Sequence, residues 1–146
     1  MTTSGTTTPS RAPYAGGCHC GSLRFAATLG PIEAGYCHCR TCQRTTGAPA
    51  LVWGSFPVGS FAYVKGAPTV YRSSEHGQRE FCPVCGAQIA YRQAGGGTID
   101  VNVGCLDHPE GIEPRSHIWT SSRIAWFDTA DALPRFAGAA PERPRV

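Results

Sequence analysis

The chain has 146 residues, a formal charge of +3, 16% charged residues and eight cysteines. That length suits one domain with a true core rather than two, and a chain 41% hydrophobic is globular rather than disordered. No apolar run approaches the roughly 18 residues of a membrane span, and the basic residues, all but one of them arginine, are too scattered to mark a nucleic-acid surface.

Residues 1–14, rich in Thr, Ser, Gly and Pro, read as a flexible tail. They carry no apolar segment of the kind a signal peptide needs, which points to the reducing cytoplasm, where cysteines serve as metal ligands more readily than as disulfides. A single domain is expected over 15–137, with a second flexible tail over 138–146. Inside the domain, Cys18-His19-Cys20-Gly21 leads into a strand over Ser22–Thr28 that sets Leu23 and Phe25 on one face. Tyr36-Cys37-His38-Cys39-Arg40-Thr41-Cys42 follows, then one helical turn over Thr41–Thr46. Further strands are expected at Ala50–Phe56, Phe61–Lys65, Thr69–Ser73, Gln88–Arg92, Thr98–Val103, His117–Thr120 and Arg123–Phe127, with a last helical turn at Thr129–Leu133. Gly66-Ala67-Pro68 and Gly95-Gly96-Gly97 mark turns between them. The class is mostly β with very little helix.

A weak internal repeat runs through this pattern. Cys18-His19-Cys20-Gly21 and Cys82-Pro83-Val84-Cys85-Gly86 each end in a glycine followed by alternating apolar residues. Both read as metal knuckles, in which the N–H groups of a tight turn bond the thiolates and glycine takes the left-handed backbone. A knuckle supplies two ligands, so Cys18, Cys20, Cys82 and Cys85 complement one another as a closed structural zinc site.

Cys37, Cys39 and Cys42 are different. Three thiols within six residues cannot all pair with one another, and a Cys-x-Cys disulfide ring is strained. They can share one tetrahedral zinc whose fourth position stays open for water or substrate, or belong to a second structural site closed by Cys105 or a histidine. Cys105 otherwise reads as a small buried hydrophobe. His19 and His38 lie between ligands and should point away from the metal, His76 and His108 read as solvated loop residues, and His117 reads as a hydrogen-bonded core residue. Seven thiolates and two zinc ions together bring the formal charge of +3 to zero, which again argues against nucleic acid.

Zinc held by three thiolates carries a net −1 and polarises water weakly, which disfavours hydrolysis. It suits a thiol, a soft ligand that coordination deprotonates.

Taken together, Gly-Gly-Cys-His-Cys-Gly-Ser-Leu-Arg-Phe, Cys-His-Cys-Arg-Thr-Cys-Gln-Arg-Thr-Thr-Gly-Ala, Arg-x-Phe-Cys-Pro-Val-Cys-Gly, Gly-Cys-Leu-Asp-His-Pro, His-Ile-Trp and Leu-Pro-Arg-Phe resemble the glutathione-dependent formaldehyde-activating enzyme family, which also includes centromere protein V. The resemblance spans about residues 15 to 137. It implies a β-tent fold of short antiparallel sheets pinned by zinc, with two similar halves. It also implies a structural zinc on Cys18, Cys20, Cys82 and Cys85, and a catalytic zinc on Cys37, Cys39 and Cys42. The implied activity is that of a carbon–sulfur lyase joining the glutathione thiol to formaldehyde as S-hydroxymethylglutathione, or the reverse. Arg40 and Arg44 flank the third ligand and could hold a glutathione carboxylate; many relatives carry two basic residues after that cysteine, where this chain has Gln43 and Arg44. His38, His117 or water could supply the proton for the developing alkoxide. The alternatives are the same chemistry on another thiol or aldehyde, a non-catalytic zinc binding module, and a redox switch built on the three clustered thiols. The expected partners are small molecules, not a membrane or nucleic acid.

Overall fold

The computed structural model of the chain describes residues 14–141. Its regular elements are β1 (Tyr14–Gly17), β2 (Arg24–Ala27), β3 (Glu33–Cys37), α1 (Arg40–Thr46), β4 (Leu51–Pro57), β5 (Phe61–Lys65), β6 (Thr69–Arg72), β7 (Gly77–Phe81), β8 (Gln88–Gln93), β9 (Thr98–Asn102) and β10 (His117–Ile118). The mostly β architecture with very little helix is as expected. β1, β2 and β5 form a three-stranded sheet, and the others form a seven-stranded sheet in the order β10-β3-β4-β9-β8-β7-β6. Every pair is antiparallel except β10 on β3.

The period of two along each strand decides what the large sheet does on its two faces. In β9, Ile99 and Val101 face a core shared with the small sheet, while Thr98, Asp100 and Asn102 face the other way into a pocket. In β4, Phe56 joins that core, while Leu51, Trp53 and Ser55 line the pocket. Leu23, Phe25 and Ala27 from the β2 side and Phe61 from β5 close the core, with the rings of Phe25 and Phe61 stacked at 5.2 Å. Each of the larger ones, Leu, Ile, Val or Phe, contributes about 1.5–3 kcal/mol through removal from water.

Three strands carry no alternating apolar signal. β1 begins at Tyr14, the last residue of the expected tail, and its register runs from Tyr14 opposite Ala27 to Gly17 opposite Arg24. Residues 1–13 of the expected tail lie outside the described residues. β3 has small residues, Ala34 and Gly35, at its centre, and a Cβ on Gly35 would sit 2.8 Å from the Ser116 carbonyl oxygen. β7 reads as polar because it buries a charge on each of its faces, Arg79 and Glu80. The Glu80 carboxylate accepts from Tyr63 Oη (2.8 Å) and Arg92 Nε (2.6 Å), and burial followed by this carboxylate pushes the Tyr63 phenol well above its ordinary range. Glu80→Ala should strand Arg92 and Tyr63, and a cost of about 3–5 kcal/mol is expected in urea unfolding.

Two expected elements are absent for reasons visible in the side chains. Arg123–Phe127 is not a strand: Arg123 Nη1 donates to the carbonyls of Ile124, Ala125 and Phe127, winding the segment into a turn. Thr129–Leu133 is not helical either. The Asp131 carboxylate accepts the Leu133 N–H at 3.0 Å, a local bond that competes with helix formation. At the C-terminal end, residues 142–146 of the expected second tail lie outside the described residues. Before them, Gly138 accepts the Trp119 N–H at 3.0 Å and Ala140 is buried.

Candidate metal centres and the pocket beside them

Each knuckle sits at the turn of a β-hairpin, Cys18 and Cys20 between β1 and β2, Cys82 and Cys85 between β7 and β8. Gly21 (φ +83°) and Gly86 (φ +78°) take the left-handed backbone that the turn demands. The hairpins meet so that all four sulfurs lie within 4.8 Å of one another. Cys18 Sγ is 3.6 Å from Cys20 Sγ, which is 3.8 Å from Cys82 Sγ. Four sulfurs on a tetrahedral zinc with bonds of about 2.3 Å stand about 3.8 Å apart, so these spacings fit. The turn amides also favour thiolates: Leu23 N–H bonds Cys18 Sγ at 3.2 Å, and Val84 and Cys85 N–H bond Cys82 Sγ at 3.4 Å. N–H groups of Ala87 and Cys20 draw the Cys85 thiol down to about 6.

The second centre forms where β3 runs into α1. Cys37 ends the strand, Cys39 caps the helix by accepting the Cys42 N–H at 3.3 Å, and Cys42 lies in the first turn. Their three sulfurs also lie within 4.8 Å of one another, and no further Cys, His, Asp or Glu joins them among the described residues. Cys105, a possible closing ligand on sequence grounds, lies elsewhere, packed against the core between the sheets with its thiol donating to Gln88 O at 3.3 Å. Three thiols this close resist ionising together. The neighbouring thiols of Cys39 and Cys42, and then burial, hold Cys37 far above the thiol range, while bonds from Cys37 and Cys42 drive Cys39 down to about 2. A divalent cation is what lets all three carry charge, so the donor set fits a soft metal ion.

Cys37, Cys39 and Cys42 stand on the wall of a pocket of about 840 Å³, within the span of about 300–1,000 Å³ usual for small-molecule sites. Trp53, Tyr91 and Trp119 supply its aromatic surface, and Arg79 lies beside the sulfurs, its Nη1 and Nη2 at 3.8 and 3.7 Å from Cys42 Sγ. Ser55 Oγ donates to Asp100 Oδ1 on the same wall. Trp119 has φ +55°, a conformation strained for so large a residue. It is held there by its N–H bond to Gly138 and by the Thr120 N–H bond to Phe136 O.

Behind the ligand loop lies a buried chain of hydrogen bonds. The Asp131 carboxylate can only accept, so His117 donates to it from Nε2 (3.0 Å), and His117 Nδ1 shares a hydrogen bond with His38 Nε2 (2.9 Å). Thr129 heads the contacts that hold Asp131 well below the usual carboxylate range. His38 Nδ1 is buried and has no hydrogen-bond partner among the described residues. His117, expected as a hydrogen-bonded core residue, is fully buried. Neither histidine lines the pocket.

Arg40 and Arg44 are exposed on α1 and stand outside the pocket lining, Arg40 donating to Gln43 Oε1 at 2.5 Å. Gln43 is buried and its amide donates to His38 O (2.8 Å) and Ser122 O (3.1 Å), bracing the ligand loop. Arg79, Trp53, Tyr91 and the Ser55–Asp100 pair escaped the sequence reading. Arg79 had a signal, as the first residue of the Arg-x-Phe-Cys motif, but nothing in one dimension places it against Cys42.

A solved structure of a Rhodobacter sphaeroides protein superposes with a TM-score of 0.53 at 26% identity, covering 69% of this chain and 92% of that one. No helix among the described residues is long and apolar enough to cross a membrane. A family model described as glutathione-dependent formaldehyde-activating enzyme matches residues 13–122, which take in both cysteine centres and the strands that carry them. The chain belongs to the glutathione-dependent formaldehyde-activating enzyme family.

Proposed function

We propose that the protein is a carbon–sulfur lyase that joins the thiol of glutathione to formaldehyde, giving S-hydroxymethylglutathione, and that it runs the reverse cleavage as well. The observation that carries this reading is the three-sulfur cluster on a pocket wall, with no fourth protein donor among the described residues. Cys37, Cys39 and Cys42 would hold the catalytic zinc, and Cys18, Cys20, Cys82 and Cys85 the structural one. A zinc ion on the first group would supply a soft Lewis-acid position at which a thiol is held as thiolate.

The reaction needs little else. The sulfur lone pair forms the S–C bond, the carbonyl π pair moves to oxygen, and the proton that left the thiol ends on that oxygen. The protein's contribution is chiefly to keep the two reactants within reach, an effect worth several kcal/mol. Trp53, Tyr91 and Trp119 give the pocket apolar walls, and the Ser55–Asp100 pair offers a hydroxyl–carboxylate route for the proton, a role closed to the buried His38 and His117. Arg40 and Arg44, outside the pocket, would meet only a glutathione carboxylate that extends beyond it.

Exchange NMR with ¹³C-formaldehyde and glutathione tests the reading directly. The zinc-loaded protein should speed interconversion of formaldehyde hydrate and the S-hydroxymethyl adduct above the protein-free rate. No acceleration with glutathione, against clear acceleration with another thiol, would move the substrate; none with any thiol removes the activity.

A further inference from the structure

Arg79 is a buried cation whose partner is unusual. It sits on β7 directly opposite Tyr91 of β8, is 6% exposed, and has its guanidinium 5.0 Å above the Tyr91 ring. Its Nε has no hydrogen-bond partner, and no carboxylate pairs with it among the described residues. Both terminal nitrogens turn instead to Cys42 Sγ, at 3.8 and 3.7 Å. A buried charge is tolerated only where an opposite charge or good hydrogen bonds meet it. The opposite charge available to Arg79 is sulfur.

We infer that Arg79 is the counter-charge of the Cys37/Cys39/Cys42 centre and the residue that makes the pocket select an anionic fourth ligand, a thiolate, over a neutral one. The inference rests on the proposed thiol-binding role of this centre and names the group that sets its ligand preference. Three thiolates and one divalent ion leave the centre at −1. A thiolate entering the same poorly hydrated space takes it to −2, whereas a neutral nitrogen or oxygen ligand leaves it unchanged. With the guanidinium alongside, the thiolate-loaded assembly returns to −1. The positive charge therefore favours the anionic ligand over the neutral one, and its geometry is fixed by the Tyr91 ring beneath it and the strand register that holds both. Lysine, a compact charge without the planar fork, would keep the charge but not the paired contact.

The test uses cobalt-loaded protein, where a thiolate joining the metal adds to the sulfur-to-metal charge-transfer absorption. Mercaptoethanol serves as the probe that binds as an anion and imidazole as the probe that binds neutral. At one pH, Arg79→Gln should weaken mercaptoethanol binding roughly tenfold or more, as removal of an adjacent opposite charge implies, with imidazole affinity changed less than about twofold and metal content unchanged. Arg79→Lys should recover most of the mercaptoethanol affinity. Equal weakening for both probes would make Arg79 a structural residue and overturn the inference, as would unchanged mercaptoethanol binding. If Arg79→Gln fails to fold, Arg79→Lys alone decides: retained preference for mercaptoethanol supports the counter-charge, and loss of preference with metal still bound overturns it. A wild-type protein whose absorption ignores mercaptoethanol sinks the thiol-binding role itself, an outcome distinct from the variants matching a wild type that responds.

Discussion

Cys82→Ser should leave the chain unfolded at ambient temperature rather than merely less active. Cys82 has no exposed surface, its sulfur lies 3.8 Å from that of Cys20 across 62 residues of chain, and it accepts two turn amides. The site it completes joins a hairpin of the small sheet to a hairpin of the large one, so it holds together the two layers whose facing side chains make the core. Structural zinc in small domains contributes about 10–16 kcal/mol of apparent binding free energy, against a total stability of about 5–15 kcal/mol for an ordinary domain. A serine hydroxyl does not replace a thiolate as a zinc ligand, so most of that contribution goes. The expected result is loss of the near-UV circular dichroism and of the cooperative urea transition, with the bound metal falling toward zero. Stripping the wild-type protein with a strong chelator should reproduce the same spectra. A Cys82→Ser protein that unfolds cooperatively at the wild-type midpoint would remove the stapling role.

The two cysteine clusters, each of which could hold a metal ion, were legible in the sequence because metal ligation demands particular residues at short spacings, and both knuckle glycines announced a left-handed backbone that the structure has. Strands with one apolar face were legible as well: Leu23 and Phe25, expected on one face, are buried, and so are Ile99 and Val101 of the strand expected over Thr98–Val103. What stayed hidden falls into two kinds. β3 and β7 carry their meaning in contacts rather than in pattern, β3 through the close approach at Gly35 and β7 through Arg79 and Glu80, which find their partners on other elements. A strand that buries charge on both faces violates binary patterning, and such violations are expected where a site is built. The other departures, Arg123–Phe127 and Thr129–Leu133, trace to single side chains, Arg123 and Asp131, that bond nearby backbone and override propensity. The pocket's composition was beyond reach for a related reason. It gathers residues from β3, β4, β7, β8, β9 and β10, the start of α1 and the loop around Trp119, and it is the sheet order that makes the strand residues neighbours.

Cys42→Ser should separate the second centre from the first: bound zinc falls from two per chain to one, thiol-dependent turnover of formaldehyde disappears, and the fold remains. Loss of the third ligand leaves Cys37 and Cys39 as a two-sulfur site, too few for tight tetrahedral binding. The scaffold around it does not depend on that sulfur. α1 keeps its cap, since the Cys42 N–H donates to Cys39 Sγ whatever side chain residue 42 carries, and Gln43 still ties the loop through His38 O and Ser122 O. The substitution takes away the sulfur that Arg79 faces, at the pocket wall rather than in the core between the sheets, so the urea midpoint should shift only modestly. Cys105→Ser is the matched control: its thiol bonds Gln88 O and packs against the other core, so both zincs and full turnover should survive. The opposite pattern, in which Cys42→Ser unfolds the chain while Cys105→Ser empties the second site, would make that zinc a structural one and end the case for catalysis. Because the same atom exchange is made in every variant, a contrast between Cys82, Cys42 and Cys105 reports what each sulfur is bound to rather than a general sensitivity of the chain to losing a thiol.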